Sequence, residues 1–225
     1  MTIAWFATFR HGGAVSAQDL ARLASLLRRV QSATRALIHT PAQTHDPYLD
    51  DGRPPALVLQ LYFRDAAGLD AVQEHLQALV PEVPASLGGA LVTQQIMLAR
   101  AFSVPEPRVM AQSCSYLVSY EGEAEDLDAW VAHYTEHHTA VMARFPGIRE
   151  IEVCTRVDWR GTLPWPHVNR MLRNKVVFDD PAGLTAALNS PVRHEMRADF
   201  ALFPKFAGPV THFPMHTVNV ASSGG

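Results

Sequence analysis

Leu61-Tyr-Phe-Arg-Asp-Ala-Ala-Gly-Leu-Asp-Ala-Val72 and Val176-Val-Phe-Asp-Asp-Pro-Ala-Gly-Leu-Thr-Ala-Ala187 are two versions of one segment. Each reads as a β-strand passing through an Asp-containing turn into a helix. Phe63 and Phe178, like Gly68 and Gly183, stand 115 positions apart, so the register is constant. Working outward, Val92-Thr-Gln-Gln-Ile-Met97 pairs with Val210-Thr-His-Phe-Pro-Met215 at a separation of 118, and strand 3–9 pairs with strand 114–120 at 111. Small loop insertions account for the drift, since loops tolerate changes in length.

The chain therefore reads as a duplication, residues 1–104 and 109–225, joined by a linker that contains Pro105 and Pro107. Each half gives the order strand, helix, strand, strand, helix, strand. In the first half these fall at 3–10, 17–35, 36–40, 56–63, 67–79 and 91–102; in the second they fall at 113–120, 127–145, 148–157, 173–178, 182–189 and 210–220. Ser16 and Glu125 or Asp126 are suited to cap the long helices, and Pro146-Gly147 ends the second. A β-α-β-β-α-β order is the ferredoxin-like pattern, an antiparallel sheet with helices on one face. Ile3, Trp5, Ala7 and Phe9 alternate along the first strand, as Cys114, Tyr116, Val118 and Tyr120 do along the fifth. That apolar face needs a cover. The expectation is an α+β fold of two tandem ferredoxin-like repeats packed sheet to sheet as a pseudo-dimeric α+β barrel.

Composition bounds the function. The 225 residues are 48% hydrophobic and 18% charged, with a formal charge of −3 and 11 histidines. A substantial core is affordable, and no basic cluster suggests nucleic acid or anionic lipid as a partner. Neither a leader-like apolar run nor a stretch of about 18 apolar residues is present, so a cytoplasmic location is expected. Cys114 and Cys154 lack the spacing of a zinc or redox motif and read as inert buried thiols. No glycine-rich phosphate loop is present: Gly12-Gly13 and Gly88-Gly89 stand without the remaining glycines.

The chemistry-bearing difference between the halves lies on the long helices. At about 100° per residue, Leu127, Trp130, Tyr134, Val141 and Phe145 share one stripe, and His138 falls within it. With the offset of 111, Tyr134 replaces Leu23 and His138 replaces Leu27. Leucine suffices for packing at these places, and burying two polar groups one turn apart has a desolvation cost. Against this stands the reading of His138 as an ordinary hydrogen-bonded core residue. In a pocket between helix and sheet, apolar surroundings would hold His138 neutral, as a general base requires, with Tyr134 orienting a substrate oxygen. Trp130 and Tyr116 are candidate walls, His137 and His212 further contacts, and Trp159 or Trp165 a lid. His216 shares a strand face with His212. His133 and His137, at i and i+4, could converge on a cation, but a third ligand at a recognisable spacing is missing. No metal site and no organic cofactor are expected.

Tyr134-Thr-Glu-His-His-Thr-Ala-Val-Met-Ala-Arg-Phe-Pro-Gly-Ile148, followed by strand 149–153, resembles the signature of EthD-type proteins of the dimeric α+β barrel superfamily. In that signature a histidine lies eight positions before the proline, which selects His138. Residues 177–184 and 199–204 also resemble that family; the first half does so in outline only. The resemblance implies a small catalyst without organic cofactor acting on aromatic, lactone or polyketide-like compounds, usually from paired chains. The expected function is a cofactor-independent lyase or isomerase that uses His138 on a small aromatic or carbonyl-containing metabolite. The alternatives are a non-catalytic small-molecule binder and a haem protein of the same fold. The partner is a small molecule, with homodimerisation left open.

Overall fold

Eight antiparallel strands close into one barrel in the order β1-β3-β2-β8-β5-β7-β6-β4. The computed structural model describes residues 2–220 apart from 72, 78 and 160. The strands are β1 (Thr2–Arg10), β2 (Arg35–Pro41), β3 (Leu57–Phe63), β4 (Leu91–Phe102), β5 (Gln112–Tyr120), β6 (Glu150–Arg156), β7 (Leu172–Phe178) and β8 (Val210–Val220). Around them lie helices α1 (Ala17–Leu27), α2 (Ala66–Asp70) and α3 (Gln73–Gln77). The long helix α4 is α-helical over Leu127–His133, opens into a π-turn over Tyr134–His138 and is α-helical again over Thr139–Met142. Helices α5 (Pro181–Leu188) and α6 (Pro191–Phe200) complete the set.

The repeated segment has a repeated cap. Asp65 and Asp180 each accept a hydrogen bond from the backbone N–H three residues on, at Gly68 and Gly183, both at 2.8 Å. Their backbone angles agree within one degree. An Asp at this position satisfies one orphan donor of the helix start, which is why the two turns read alike.

The halves do not stack sheet on sheet. They meet edge to edge, β2 pairing with β8 and β4 with β6, so closure leaves no free strand edge. The alternating faces are assigned accordingly. Trp5, Ala7 and Phe9 pack outward against Leu23 and Leu27 of α1, and Cys114, Tyr116, Val118 and Tyr120 pack outward against Trp130 and Tyr134 of α4. The expected cover by the other repeat is corrected: helices cover this face. The opposite face lines the barrel interior with Ala4, Phe6, Leu37, Val58, Tyr62, Met97 and Met215, together with buried His39, Gln60, Glu152, Arg173 and Lys175. An eight-stranded barrel has just enough interior for its own side chains. Bulky aromatic rows are better accommodated outside, beneath helices.

Three element boundaries differ from expectation. Helix α1 stops at Leu27, and its apolar period continues through turns that bury Val30 and Ala33 before β2 begins. Of the expected helix over 67–79, Ala66–Asp70 and Gln73–Gln77 are helical, and residues 72 and 78 lie outside the described residues. Helix α6 was not expected at all. Its start is nevertheless conventional, with Ser190 at the cap and Pro191 at the first helical position. Both cysteines are free and buried, and burial raises the Cys114 thiol to about 12. No helix among the described residues is long and apolar enough to cross a membrane.

Candidate active site

Helix α4 carries the site because its middle turn is wide. Thr139 N–H bonds the Tyr134 carbonyl five residues back, which defines the π-turn. Two threonines supply hydrogen bonds to neighbouring carbonyls, Thr135 Oγ1 to Val131 O at 2.8 Å and Thr139 Oγ1 to Thr135 O at 2.7 Å. Such single wide turns recur at functional sites because they re-aim side chains from an otherwise regular helix. Here the turn begins and ends with the two polar residues that replace leucine, Tyr134 and His138, both buried.

His138 is 5% exposed, and its Nδ1 lies 2.6 Å from Asp199 Oδ2 on α6. A carboxylate beside Nδ1 fixes the tautomer with the proton on that nitrogen and leaves Nε2 with a free lone pair. Burial lowers the His138 pKa to about 4, against the opposing hydrogen bond to Asp199. The ring is therefore neutral near pH 7. His133 Nε2 lies 3.3 Å from the other oxygen of Asp199, so one carboxylate sits between two imidazoles. Tyr134 is fully buried, its hydroxyl lies beside that of Tyr120 without a well-formed hydrogen bond, and its ring lies 4.9 Å from that of His138. Burial, and after it the neighbouring Tyr120, raise its pKa well above the usual phenol value. Tyr134 thus remains a hydrogen-bond donor at any pH the protein tolerates.

His138 and Tyr134 border a cavity of about 400 Å³ between the outer face of the barrel and helices α4, α5 and α6. Most of its wall is apolar, with Val118, Met142, Phe178, Leu184 and Met196 among the lining residues. The volume and the few convergent polar groups are those of a small-molecule site. Part of the wall comes from the opposite half. The connection between β2 and β3 crosses over and places Leu49 and Asp51 in the cavity wall. Asp46 of the same connection accepts hydrogen bonds from Tyr116 Oη and Arg193 Nη2, each at 2.8 Å. Asp51 accepts from the His212 backbone at 2.7 Å and lies 2.8 Å from His212 Nδ1. Arg197 lies 4.2 Å over the Tyr48 ring.

The residues singled out from the sequence divide into three groups. His138, Tyr134, Tyr116 and His212 border the cavity together. Trp130 stands behind it, stacked 5.2 Å from Tyr134 and fully buried. His137 is exposed on the outer side of α4, and Trp159 and Trp165 lie in the other half, against the core beneath α1. No group of three or more potential metal ligands occurs among the described residues. Asp199, Arg193, Asp46 and Asp51 were not anticipated. The helix-start signal at Ser190-Pro191 would have placed Asp199 at the end of a helix; the crossing loop left no comparable signal.

No family model and no curated protein sequence matches the chain. Solved structures do. The chain is similar to an anthrone oxidase-like protein at 10% identity, with 99% of this chain and 96% of that one covered and a TM-score of 0.62. It is equally similar to a protein of Fusobacterium nucleatum subsp. nucleatum ATCC 25586 provisionally described as a monooxygenase, at 10% identity, 100% and 95% coverage, and a TM-score of 0.61. An ethyl tert-butyl ether degradation family protein of Bacillus halodurans C-125 is 21% identical, but over only 44% of this chain (96% of that one), with a TM-score of 0.35 that carries no argument. The shared architecture is an α+β fold, which in this chain is built on a closed barrel of eight antiparallel strands.

Proposed function

We propose that the cavity is the active site of a small-molecule enzyme in which His138, held by Asp199, abstracts a proton from a carbon acid. The observation that carries the reading is the 2.6 Å contact between His138 Nδ1 and Asp199 beside a largely apolar cavity, which leaves Nε2 as the basic nitrogen. The cavity is sized for an aromatic or carbonyl-bearing substrate, whose carbonyl oxygen would take the unpaired Tyr134 hydroxyl as donor. An imidazole that gains a proton in the transition state is stabilised by the adjoining carboxylate. The carbanion so formed has two outcomes. Returning the proton to a second carbon, or expelling a leaving group, makes the enzyme an isomerase or lyase that needs no organic cofactor. Reaction of an electron-rich carbanion with dioxygen makes it an oxygenase, and the names of the anthrone oxidase-like and monooxygenase neighbours favour trying this second outcome first. In both outcomes the chain is two copies of one βαββαβ unit, the first structural and the second EthD-like and site-bearing.

Aromatic ketones with acidic C–H groups, anthrones among them, are the substrates to test. His138→Ala is expected to abolish solvent-deuterium exchange into the acidic carbon while the compound still binds. An oxygen electrode then separates the two outcomes. Unchanged exchange in His138→Ala would remove this residue from the chemistry. A Soret band in the purified protein that is lost in His138→Ala would instead favour a haem protein, in which the carboxylate-backed His138 would hold the iron.

A further inference from the structure

The barrel interior carries two charge clusters at opposite ends, and only one is balanced. At the first, Arg35 makes a two-pronged contact with Glu150, 2.9 Å on each arm, and Lys175 Nζ lies 3.0 Å from Glu150, 3.3 Å from Glu152 and 2.6 Å from Tyr62 Oη. Two cations meet two carboxylates. At the second end stand Arg10, Arg170 and Arg173 with a single carboxylate, Glu121. Arg170 takes most of Glu121, at 2.8 Å, and Arg10 reaches it at 3.9 Å.

Arg173 is left over. It is 8% exposed, and its guanidinium makes no hydrogen bond or ion pair among the described residues; Nε is buried without a partner. Its guanidinium stacks over the Phe6 ring, 4.6 Å from the centroid. Stacking on an aromatic face offsets part of the loss of water but does not satisfy the N–H donors. Burial and the charges of Arg170 and Arg10 all act against the protonated form. A guanidinium nevertheless keeps its proton in proteins, so the charge must be met from outside the chain. The inward row of β1 adds a second orphan: Thr8 Oγ1, between Phe6 and Arg10 in that row, is buried and unpaired. Arg173 borders a cleft of about 10 Å³, together with Phe6, Leu117 and Ser119, and with Glu152 and Lys175 of the first cluster. That is room for one water-sized particle and no more.

We infer that this end of the barrel is a binding site for a small monovalent inorganic anion of halide size, held by the Arg173 guanidinium inside and by the field of Arg10 and Arg170 at the rim. The site lies on the opposite face of β5 and β7 from the candidate active site and is independent of any reaction there. A phosphate or a substrate carboxylate does not fit the cleft. A halide does, and it supplies one of the two negative charges that three arginines and one glutamate lack. Water alone would occupy the same space but would leave the charge unmet.

The test uses the whole chain. Crystals soaked in sodium bromide are expected to show an anomalous peak within hydrogen-bond distance of the Arg173 guanidinium. In solution, the melting temperature is expected to rise saturably when chloride replaces gluconate at fixed ionic strength. Arg173→Met keeps the stem over Phe6 and removes the charge, so its melting temperature should not respond to chloride; Arg10→Gln, at the exposed rim, should respond more weakly than the native protein. Bromide confined to the outer surface, or an Arg173→Met protein with the native chloride response, overturns the proposal. The bromide result on the native chain decides alone if the buried substitution fails to fold.

Discussion

In the N-terminal half, Trp165 lies against Trp5 and Phe9, with ring centroids 6.3 and 5.6 Å away, and fills the space between barrel and helix. In the C-terminal half the corresponding strand residues, Tyr116 and Tyr120, face a hollow of about 400 Å³. Both spaces are covered by a connection from the opposite half. The β6–β7 connection sends an indole inward and is anchored by Gln94, which donates to the Leu163 and Trp165 carbonyls at 3.2 and 2.8 Å and accepts from Trp5 Nε1 at 3.3 Å. The β2–β3 connection sends only Leu49 and aspartates, whose carboxylates are tied to Tyr116, Arg193 and His212. One architecture thus has a sealed version and an open one. The polar pair, Tyr134 and His138, stands in the open version, and Leu23 and Leu27 stand in the sealed one.

The largest effect expected from breaking this comparison is on turnover. Asp199→Asn removes the charge beside His138 Nδ1 and lets an amide N–H donate to that nitrogen, which selects the wrong tautomer, and a misplaced proton costs a general base about 10²–10⁴ in rate. Substrate affinity should change little, because Asp199 borders the ring and not the cavity wall. The pH profile sharpens the assignment. A base whose pKa is lowered to about 4 is neutral, hence active, throughout the range above that value. On the proposed function, kcat/KM of the native protein should fall only as pH drops through about 4, with no inflection near the usual histidine value. Because Asp199 raises the His138 pKa, its replacement should move that inflection lower still. An inflection near 6.5 in the native protein would show that the ring is solvated during turnover.

The next effect is on stability and belongs to the sealed half. Trp165→Ala empties a buried indole site and is expected to cost about 3–5 kcal/mol. For a chain of this size that is a fall in Tm of roughly 6–20 °C. Added indole should restore part of the loss by refilling the space, and turnover in the other half should be preserved at permissive temperature. A Tm within a degree or two of native would mean that the N-terminal half is not packed around this residue, and the contrast between filled and hollow would fail.

How much of this was legible in the sequence follows the range of the interactions. The strand-turn-helix segments at 61–72 and 176–187 were readable because an Asp cap and its glycine lie three residues apart. The burial of His138 was readable because helical period is local. The end of α1 was not, since apolar Val30 and Ala33 continue the period through what is a turn. Asp199 was missed because α6 has a polar sequence that buries one residue, Met196, and its start at Ser190-Pro191 was not read as a helix signal. The swapped loops could not be read at all. Trp159 and Trp165 follow β6 in sequence but cover the other half, and only barrel closure through β4–β6 and β2–β8 brings each connection there. The same closure decides which strand face looks inward, and so the polar character of the interior.

The smallest expected effect bears most directly on why the open half is polar. Tyr134 and Leu23 occupy matching places, yet only Tyr134 buries a hydroxyl, and it does so without a hydrogen bond of acceptable geometry. An unsatisfied buried hydroxyl is destabilising, by about 1–3 kcal/mol relative to a paired one. Its ring, by contrast, is well used, packed on Trp130 at 5.2 Å and Tyr120 at 5.5 Å. Tyr134→Phe separates the two contributions, since it keeps every ring contact and removes the oxygen. If the hydroxyl is retained for a ligand, the variant should be as stable as the native protein or up to about 1 kcal/mol more stable, measured by denaturant midpoint at constant m. Its turnover should fall, with the effect on kcat and not on KM if the hydroxyl meets charge that develops on the substrate oxygen during proton abstraction. A variant that is instead clearly less stable would show that the hydroxyl is already paired in the empty protein, through Tyr120. The polarity of this stripe would then be a packing solution that differs from leucine in kind but not in purpose.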